Sequence, residues 1–340
     1  MSTANIEIRA PYLMFLGDVH DQLAAKTATG VVHWRRDDCI GQVRFPDCKA
    51  DLGLPDMSVA EGRQAGAATL VIGAVNPGGV LPDHWVAAVV EALESGMDVA
   101  SGLHMRLAAQ PQVAEAAKRT GRSLFDVRHP TGNLPTGKGT KRPGKRLLTV
   151  GTDCSVGKMY TSLAIAAEMQ ARGWKADFRA TGQTGIFIAG SGISVDAVVA
   201  DFISGAAEVL GPANDADHWD VMEGQGSLFH PSFAGVTMGL IHGSQPDALV
   251  LCHEPTRRKM RNVEHPIPAI DACIRGHVEA ARLTNPDARC IGIAVNTSAL
   301  PEVEAADCLK MIADQHGLPT VDPVRTGVAA LVDALESSNV

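Results

Sequence analysis

Between Arg146 and Gly173 the chain has little freedom of fold. It reads "RLLTV", then "GTDCSVGK", then "MYTSLAIAAEMQARG". An apolar strand running into a loop of G-x-x-x-x-G-K spacing, and out of it into a long helix, is the arrangement of a phosphate cradle. Backbone N–H groups turn inward in such a loop, the helix amino end adds partial positive charge, and the lysine adds a full one. Gly151, Thr152, Asp153, Cys154, Ser155, Val156, Gly157, Lys158 and Met159 are therefore expected to hold a phosphate or diphosphate. The geometry calls for a mostly parallel sheet with the loop at the carboxyl end of a strand.

Met159 breaks the pattern. A serine or threonine is needed after the lysine to help hold magnesium, and a thioether is a poor ligand for that hard cation. Thr161 lies almost a full helical turn away. Phosphoryl transfer relies on a metal to neutralise the reacting phosphates. A loop of this composition is expected to grip phosphates without cleaving them, with no metal required.

The rest of the chain alternates in the same way. "YLMFLG" (12–17), "TLVIGA" (69–74) and "GMDVAS" (96–101) are apolar runs suited to buried strands. A helix is expected around Trp85, Val86, Val89, Val90 and Leu93, and another from Pro111 to Thr120. "NPGG" (76–79) reads as a turn, and the absence of G-x-G-x-x-G after the first strand argues against bound NAD. Further strands are expected at "ADFRA" (176–180), "HWDVME" (218–223), "ALVLC" (248–252) and "CIGIAV" (290–295). One helix is expected across "SVDAVVADFISGAAEVLG", with Ser194 as its cap. "PTGNLPTGKGTKRPGKR" (130–146) has no apolar period and reads as a linker; its basic residues would be solvated or lie against a polyphosphate. The expected organisation is a Rossmann-like domain over 1–135, a linker over 136–146 and a P-loop α/β domain over 147–340.

Composition narrows the partners. At 340 residues, 45% hydrophobic and 20% charged, the chain can bury a full core and is long enough for two domains. Its net charge of −8 disfavours nucleic acid, while a small anion in a local pocket stays open. No apolar run is long enough to span a membrane, and "MSTANIEIRAPYL" lacks a basic start before an apolar core, so a cytoplasmic protein is expected. Seven scattered cysteines with no C-x-x-C give neither a disulfide framework nor a zinc knuckle.

"GTDCSVGK" resembles the loop of dethiobiotin synthetases and cobyric-acid-type amidotransferases, and "DVMEGQGS" (220–227) resembles the strand end that faces it there. That resemblance places Glu223 opposite the phosphates. Over nearly the whole chain, stretches such as "APYLMFLGD", "SGLHMRLA", "DFRATGQTGIFIAG" and "MEGQGSLFHPSFAGVTMGLIHGSQPDALVLCHEPTR" resemble the family of D-glutamate N-acetyltransferases. The resemblance implies a Rossmann-like domain followed by a P-loop domain. It also implies transfer of acetyl from acetyl-CoA to the amino group of D-glutamate. A homo-oligomer is expected. Coenzyme A carries phosphates that are held and never broken, which suits a loop without its metal hydroxyl.

Acyl transfer to an amine needs a base, a positioned thioester and groups to hold the substrate carboxylates. Glu223 is the preferred base, with His230, His242 and His253 as alternatives. Asp153 is placed to orient an amine. Cys154, at a helix amino end, is a weaker candidate as acyl carrier. Arg179, Gln183 and Thr184 follow a strand and are expected to bind substrate, and Lys26 after the first strand to reach a carboxylate. Two other readings compete: an ATP-dependent ligase or kinase resembling dethiobiotin synthetase, and a nucleotide-responsive interaction protein without catalysis.

Overall fold

The computed structural model describes residues 8–74, 79–130 and 133–337. It divides into two units, one made of Met1–Gly132 with Gly182–Ala197, the other of Asn133–Thr181 with Val198–Val340. The turn expected at 76–79 falls outside the described residues except for Gly79.

The first unit alternates β1 (Tyr12–Gly17), α1 (Lys26–Trp34), β2 (Cys39–Arg44), α2 (Val59–Gln64), β3 (Thr69–Ile72), α3 (Asp83–Glu94), β4 (Asp98–Ser101), α4 (Pro111–Thr120) and β5 (Leu124–Asp126). The five strands form a sheet in the order β2-β1-β3-β4-β5, and each pair is parallel. Residues 12–17 are buried on both faces, as a strand covered by helices above and below requires. Local signals set the helix ends. Ser58 and Glu61 close a capping box at the start of α2; Pro111 opens α4, and Gly121 ends it in the left-handed conformation.

The second unit holds β6 (Lys145–Gly151), α5 (Lys158–Ala171) and β7 (Ala176–Arg179). After the excursion into the first unit it continues with α7 (Ile203–Leu210), β8 (Trp219–Met222), α8 (Ala234–Ser244), β9 (Ala248–His253) and α9 (Ile270–Arg282). It ends with β10 (Arg289–Val295), α10 (Glu302–His316), β11 (Thr320–Val321) and α11 (Ala329–Ser337). Six strands pair in parallel in the order β11-β10-β9-β6-β8-β7. Leu147, Val221, Val250 and Cys252 from the sheet pack with Ile165 and Met169 of α5 and Leu331 of α11. Order reverses at β6, with β8 to one side and β9 to the other. The phosphate loop therefore leaves the sheet where parallel α/β folds place their ligands. No helix among the described residues is long and apolar enough to cross a membrane.

Three expectations need correction. The second domain is not continuous: Gly182–Ala197, which carries α6 (Gln183–Ala189), belongs to the first unit and packs on α1. The single helix expected over 194–211 is instead two 3-10 turns, Val195–Ala197 and Ala200–Phe202, followed by α7, because the chain passes between units after Ala197. Ser194 bonds to Asp196 through its hydroxyl and caps no α-helix.

The basic stretch before β6 is not a solvated tether. The N–H groups of Lys138 and Gly139 donate to Glu208 Oε1, at 2.8 and 2.9 Å. Lys141 pairs with Asp247, and Arg142 donates to the carbonyls of Gly211 and Gly243. Arg146 is buried and donates to the carbonyls of Arg142, Pro143 and Pro212. These groups lie at the amino end of β6, the edge opposite the phosphate loop, so they have no polyphosphate to meet.

Candidate active site

Loop and helix geometry follow from the glycine framing. Gly157 has φ of +101° and Ser155 of +55°, left-handed turns that carry the chain from β6 into α5. Lys158 opens α5, is buried, and donates from Nζ to the carbonyl of Asp153 at 2.8 Å. Burial pulls its pKa below the ordinary lysine value, with the nearby Glu223 acting against that shift. A bound phosphate would offset the desolvation in the same way.

Met159 brings no oxygen to this site. The next hydroxyl, on Thr161, donates to the carbonyl of Gly157 at 3.0 Å, and Ser162 turns inward to the carbonyl of Lys158 at 2.9 Å. Both are held by their own helix.

Glu223 follows β8 directly. Its Oε2 accepts from the N–H of Thr181 at 3.0 Å and its Oε1 from Gln225 Nε2 at 3.0 Å, while Thr181 Oγ1 donates to the carbonyl of Glu223 at 2.7 Å. Gly224 must be a glycine, since a Cβ there would overlap the carbonyl oxygen of Thr149 and press on the Lys158 chain. That close approach brings the Glu223 strand end beside the loop lysine.

Asp153 and His230 sit close together, but as anchors. Asp153 is fully buried; its Oδ2 accepts from Arg257 Nη1 at 2.6 Å and from the N–H of Arg261 at 2.8 Å, and its Oδ1 from the N–H of Cys154 at 2.7 Å. His230 Nδ1 accepts from the N–H of Ser232 at 3.1 Å, so Nε2 carries the proton and donates to the carbonyl of Arg261 at 2.9 Å. Both ring nitrogens are thus occupied by backbone, which leaves His230 no lone pair for an amine. Arg257 also donates to the carbonyls of Cys154 and Ser155, and Arg261 Nη1 to Ser155 Oγ at 2.5 Å. The segment after β9 therefore clasps the loop from outside. The arrangement Asp153–Cys154–His230 has the donor atoms of a metal site, but the guanidinium of Arg257 already neutralises the carboxylate.

The other candidates fall into separate places. Arg179 is turned away from the loop edge: its guanidinium bonds Asp220 at 2.7 Å and Asp177 at 2.9 Å, so it is no open carboxylate clamp. Burial raises the Cys154 thiol above its ordinary value, and burial lowers His253, whose Nδ1 pairs with Thr152 Oγ1 at 3.0 Å. His242 lies within α8, its Nε2 buried without a hydrogen bond among the described residues.

Lys26, Gln183 and Thr184 come together in the first unit. Lys26 opens α1, the hydroxyl of Thr184 reaches that of Thr27 at 3.5 Å across 157 positions of sequence, and the Gln183 side chain lies against Gly102 after β4. All three therefore stand at the carboxyl edge of the first sheet. Sequence reading missed the clasp of Arg257 and Arg261 on the loop; its one signal was the basic run "TRRKMR" directly after a strand.

Comparison with known proteins bears on this geometry. Residues 134–332 match the family described as domain of unknown function (DUF1611_C), P-loop domain, and residues 44–130 match DUF1611_N, a Rossmann-like domain. This chain belongs to the DUF1611 family. A DUF1611 protein of Anabaena variabilis, solved by crystallography, superposes with a TM-score of 0.86 at 32% identity, covering 96% of this chain and 99% of that one. Two relatives carry the name D-glutamate N-acetyltransferase. That of Tritonibacter scottomollicae is 54% identical over 96% of this chain and 99% of its own. That of a Pseudoalteromonas species is 48% identical over the same shares. As a DUF1611 member the chain has the Rossmann-like unit and the P-loop unit in the order its sequence implies.

Proposed function

We propose that this chain transfers an acetyl group from acetyl-CoA to the amino group of D-glutamate. The observation that carries the reading is similarity along nearly the whole chain, at 54% and 48% identity, to two proteins named D-glutamate N-acetyltransferase. The loop supports the choice of donor: its cradle and Lys158 are in place, and the hydroxyl that would hold magnesium is replaced by Met159. A coenzyme A diphosphate asks for positioning alone.

In the proposed reaction the amine lone pair attacks the thioester carbonyl carbon. The N–C bond forms, the C–S bond breaks, and the proton lost by the amine returns to the departing thiolate. Glu223 is the proposed carrier of that proton, because Thr181 and Gln225 fix its orientation beside Lys158. Asp153 and His230 hold the loop in shape.

Thiol release from acetyl-CoA tests the proposal, with D-glutamate, L-glutamate or no amino acid, and with neither ATP nor magnesium added. Release that depends on D-glutamate is the expected result. No release with any amino acid, together with ATP hydrolysis or ligation when ATP and magnesium are supplied, would replace it with the ligase reading.

A further inference from the structure

A cavity of about 170 Å³ opens beside the phosphate loop, and the reaction as proposed does not use it. Its walls include Gly157 of the loop, Tyr160 and Thr161 in the first turn of α5, Asn296 after β10, and Pro323 and Val324 after β11. The lining is mostly apolar. The cavity lies on the β10–β11 side of β6, whereas Glu223 lies on the β8 side. A ligand with its phosphates on the loop thus has two directions open to it, one toward the proposed proton carrier and one into this cavity.

The polar groups around the cavity are unequal. Asp322 is fully committed: Oδ2 accepts from the N–H and hydroxyl of Thr297, at 3.0 and 2.5 Å, and Oδ1 from the N–H groups of Val324 and Arg325, at 2.8 and 3.1 Å. It shapes the wall and has nothing left for a ligand. Asn296 accepts from the N–H of Ser298 through Oδ1 at 3.2 Å, which sets its amide orientation. No group among the described residues takes the hydrogens of its Nδ2. An apolar slot with one oriented amide donor at its edge suits a flat heteroaromatic ring bearing a ring-nitrogen acceptor.

We infer that this cavity holds the purine base of the acyl donor, with Asn296 Nδ2 donating to a ring nitrogen. The inference rests on the coenzyme A reading given above. The cavity shares Val156 and Gly157 with the phosphate loop, so it lies directly beside the phosphate cradle. Pantetheine leaves the diphosphate at its other end and must carry the thioester to the amine, on the β8 side. That leaves the nucleoside for the β10–β11 side.

The test compares acetyl-CoA with S-acetyl-4′-phosphopantetheine, a donor that lacks the nucleoside, in the wild type and in Asn296→Asp. Aspartate keeps the acceptor oxygen that Ser298 uses, so the loop retains its bond, but it has no hydrogen for the base. The ratio of kcat/KM between the two donors is expected to fall about tenfold in the variant, the effect of one oriented hydrogen bond exchanged for a repulsive contact. An unchanged ratio, whether both donors suffer alike or neither does, would overturn the assignment and leave the cavity to the pantetheine arm. If the wild type does not use acetyl-CoA at all, the donor reading has failed separately. Calorimetry with adenosine 3′,5′-bisphosphate then decides: binding weakened by Asn296→Asp upholds the base site, and equal or absent binding in the two proteins rejects it.

Discussion

Lys158 and Arg257 are two cations on one loop with different duties. Lys158 is buried under the cradle and, among the described residues, donates from its ammonium to a carbonyl of its own loop alone, so its charge is available to an incoming phosphate. Lys158→Ala is expected to raise KM for acetyl-CoA by about 10- to 100-fold, the range for losing a charged hydrogen bond, as steady-state kinetics would show. Arg257 spends its guanidinium on Asp153 and on the Cys154 and Ser155 carbonyls. Arg257→Ala leaves the Asp153 carboxylate buried without its counter-charge, and a loss of about 3 kcal/mol is expected in urea unfolding. The two variants separate a ligand contact from a structural one. Sequence alone reveals Lys158, because its meaning lies in a spacing of a few residues. It could not reveal Arg257, whose partner is 104 positions away, nor the anchoring roles of Asp153 and His230, which depend on a loop arriving from another strand. For the same reason Arg179 was misread: position after a strand was legible, but not the two aspartates that claim it.

At the scale of elements, apolar runs identified β1, β3, β4 and the strands around the loop, since strands buried on both faces are continuous in hydrophobicity. β2 escaped because "CIGQVR" carries a glutamine mid-strand. Gln42 is nonetheless buried, its amide satisfied by Asp51, the carbonyl of Leu54 and the N–H of Leu52. α9 holds a different kind of buried polar group. His277 donates from Nδ1 to the carbonyl of Cys273 at 2.7 Å, and its Nε2 has no hydrogen bond among the described residues. Burial lowers its pKa from 6.5 to about 4. The folded protein therefore refuses a proton that the unfolded chain accepts, and stability falls as pH drops from about 6.5 toward 4. Between pH 7 and 5 this group alone is expected to cost about 2 kcal/mol. Urea titrations of the wild type and His277→Leu at the two pH values would show it: the difference between them should shrink by that amount in the variant.

At the scale of the whole molecule, two all-parallel sheets follow from strand–helix alternation, and the P-loop unit could be inferred from a few residues at its start. The boundary was harder to read. A stretch rich in glycine, proline and base looks like a tether, yet its backbone and side chains are taken up by Glu208, Asp247 and the Gly211 and Gly243 carbonyls. Trypsin under native conditions is therefore expected to leave the bonds after Lys138 and Lys141 uncut. Glu208→Ala, which releases the backbone of Lys138 and Gly139, is expected to make the first of these a preferred site, visible as two fragments on a gel.

The excursion that carries α6 sets a timetable. Residues 182–197 complete the first unit, and they are made only after the phosphate loop and its helix have been made. A ribosome that has released the first 132 residues has released a unit still missing a helix that α1 packs against. The usual order, in which an amino-terminal domain finishes before the next begins, does not apply to this chain. Both units must mature in overlapping time. The chain passes between them after Gly132, Thr181 and Ala197, so neither can be excised as one unbroken piece.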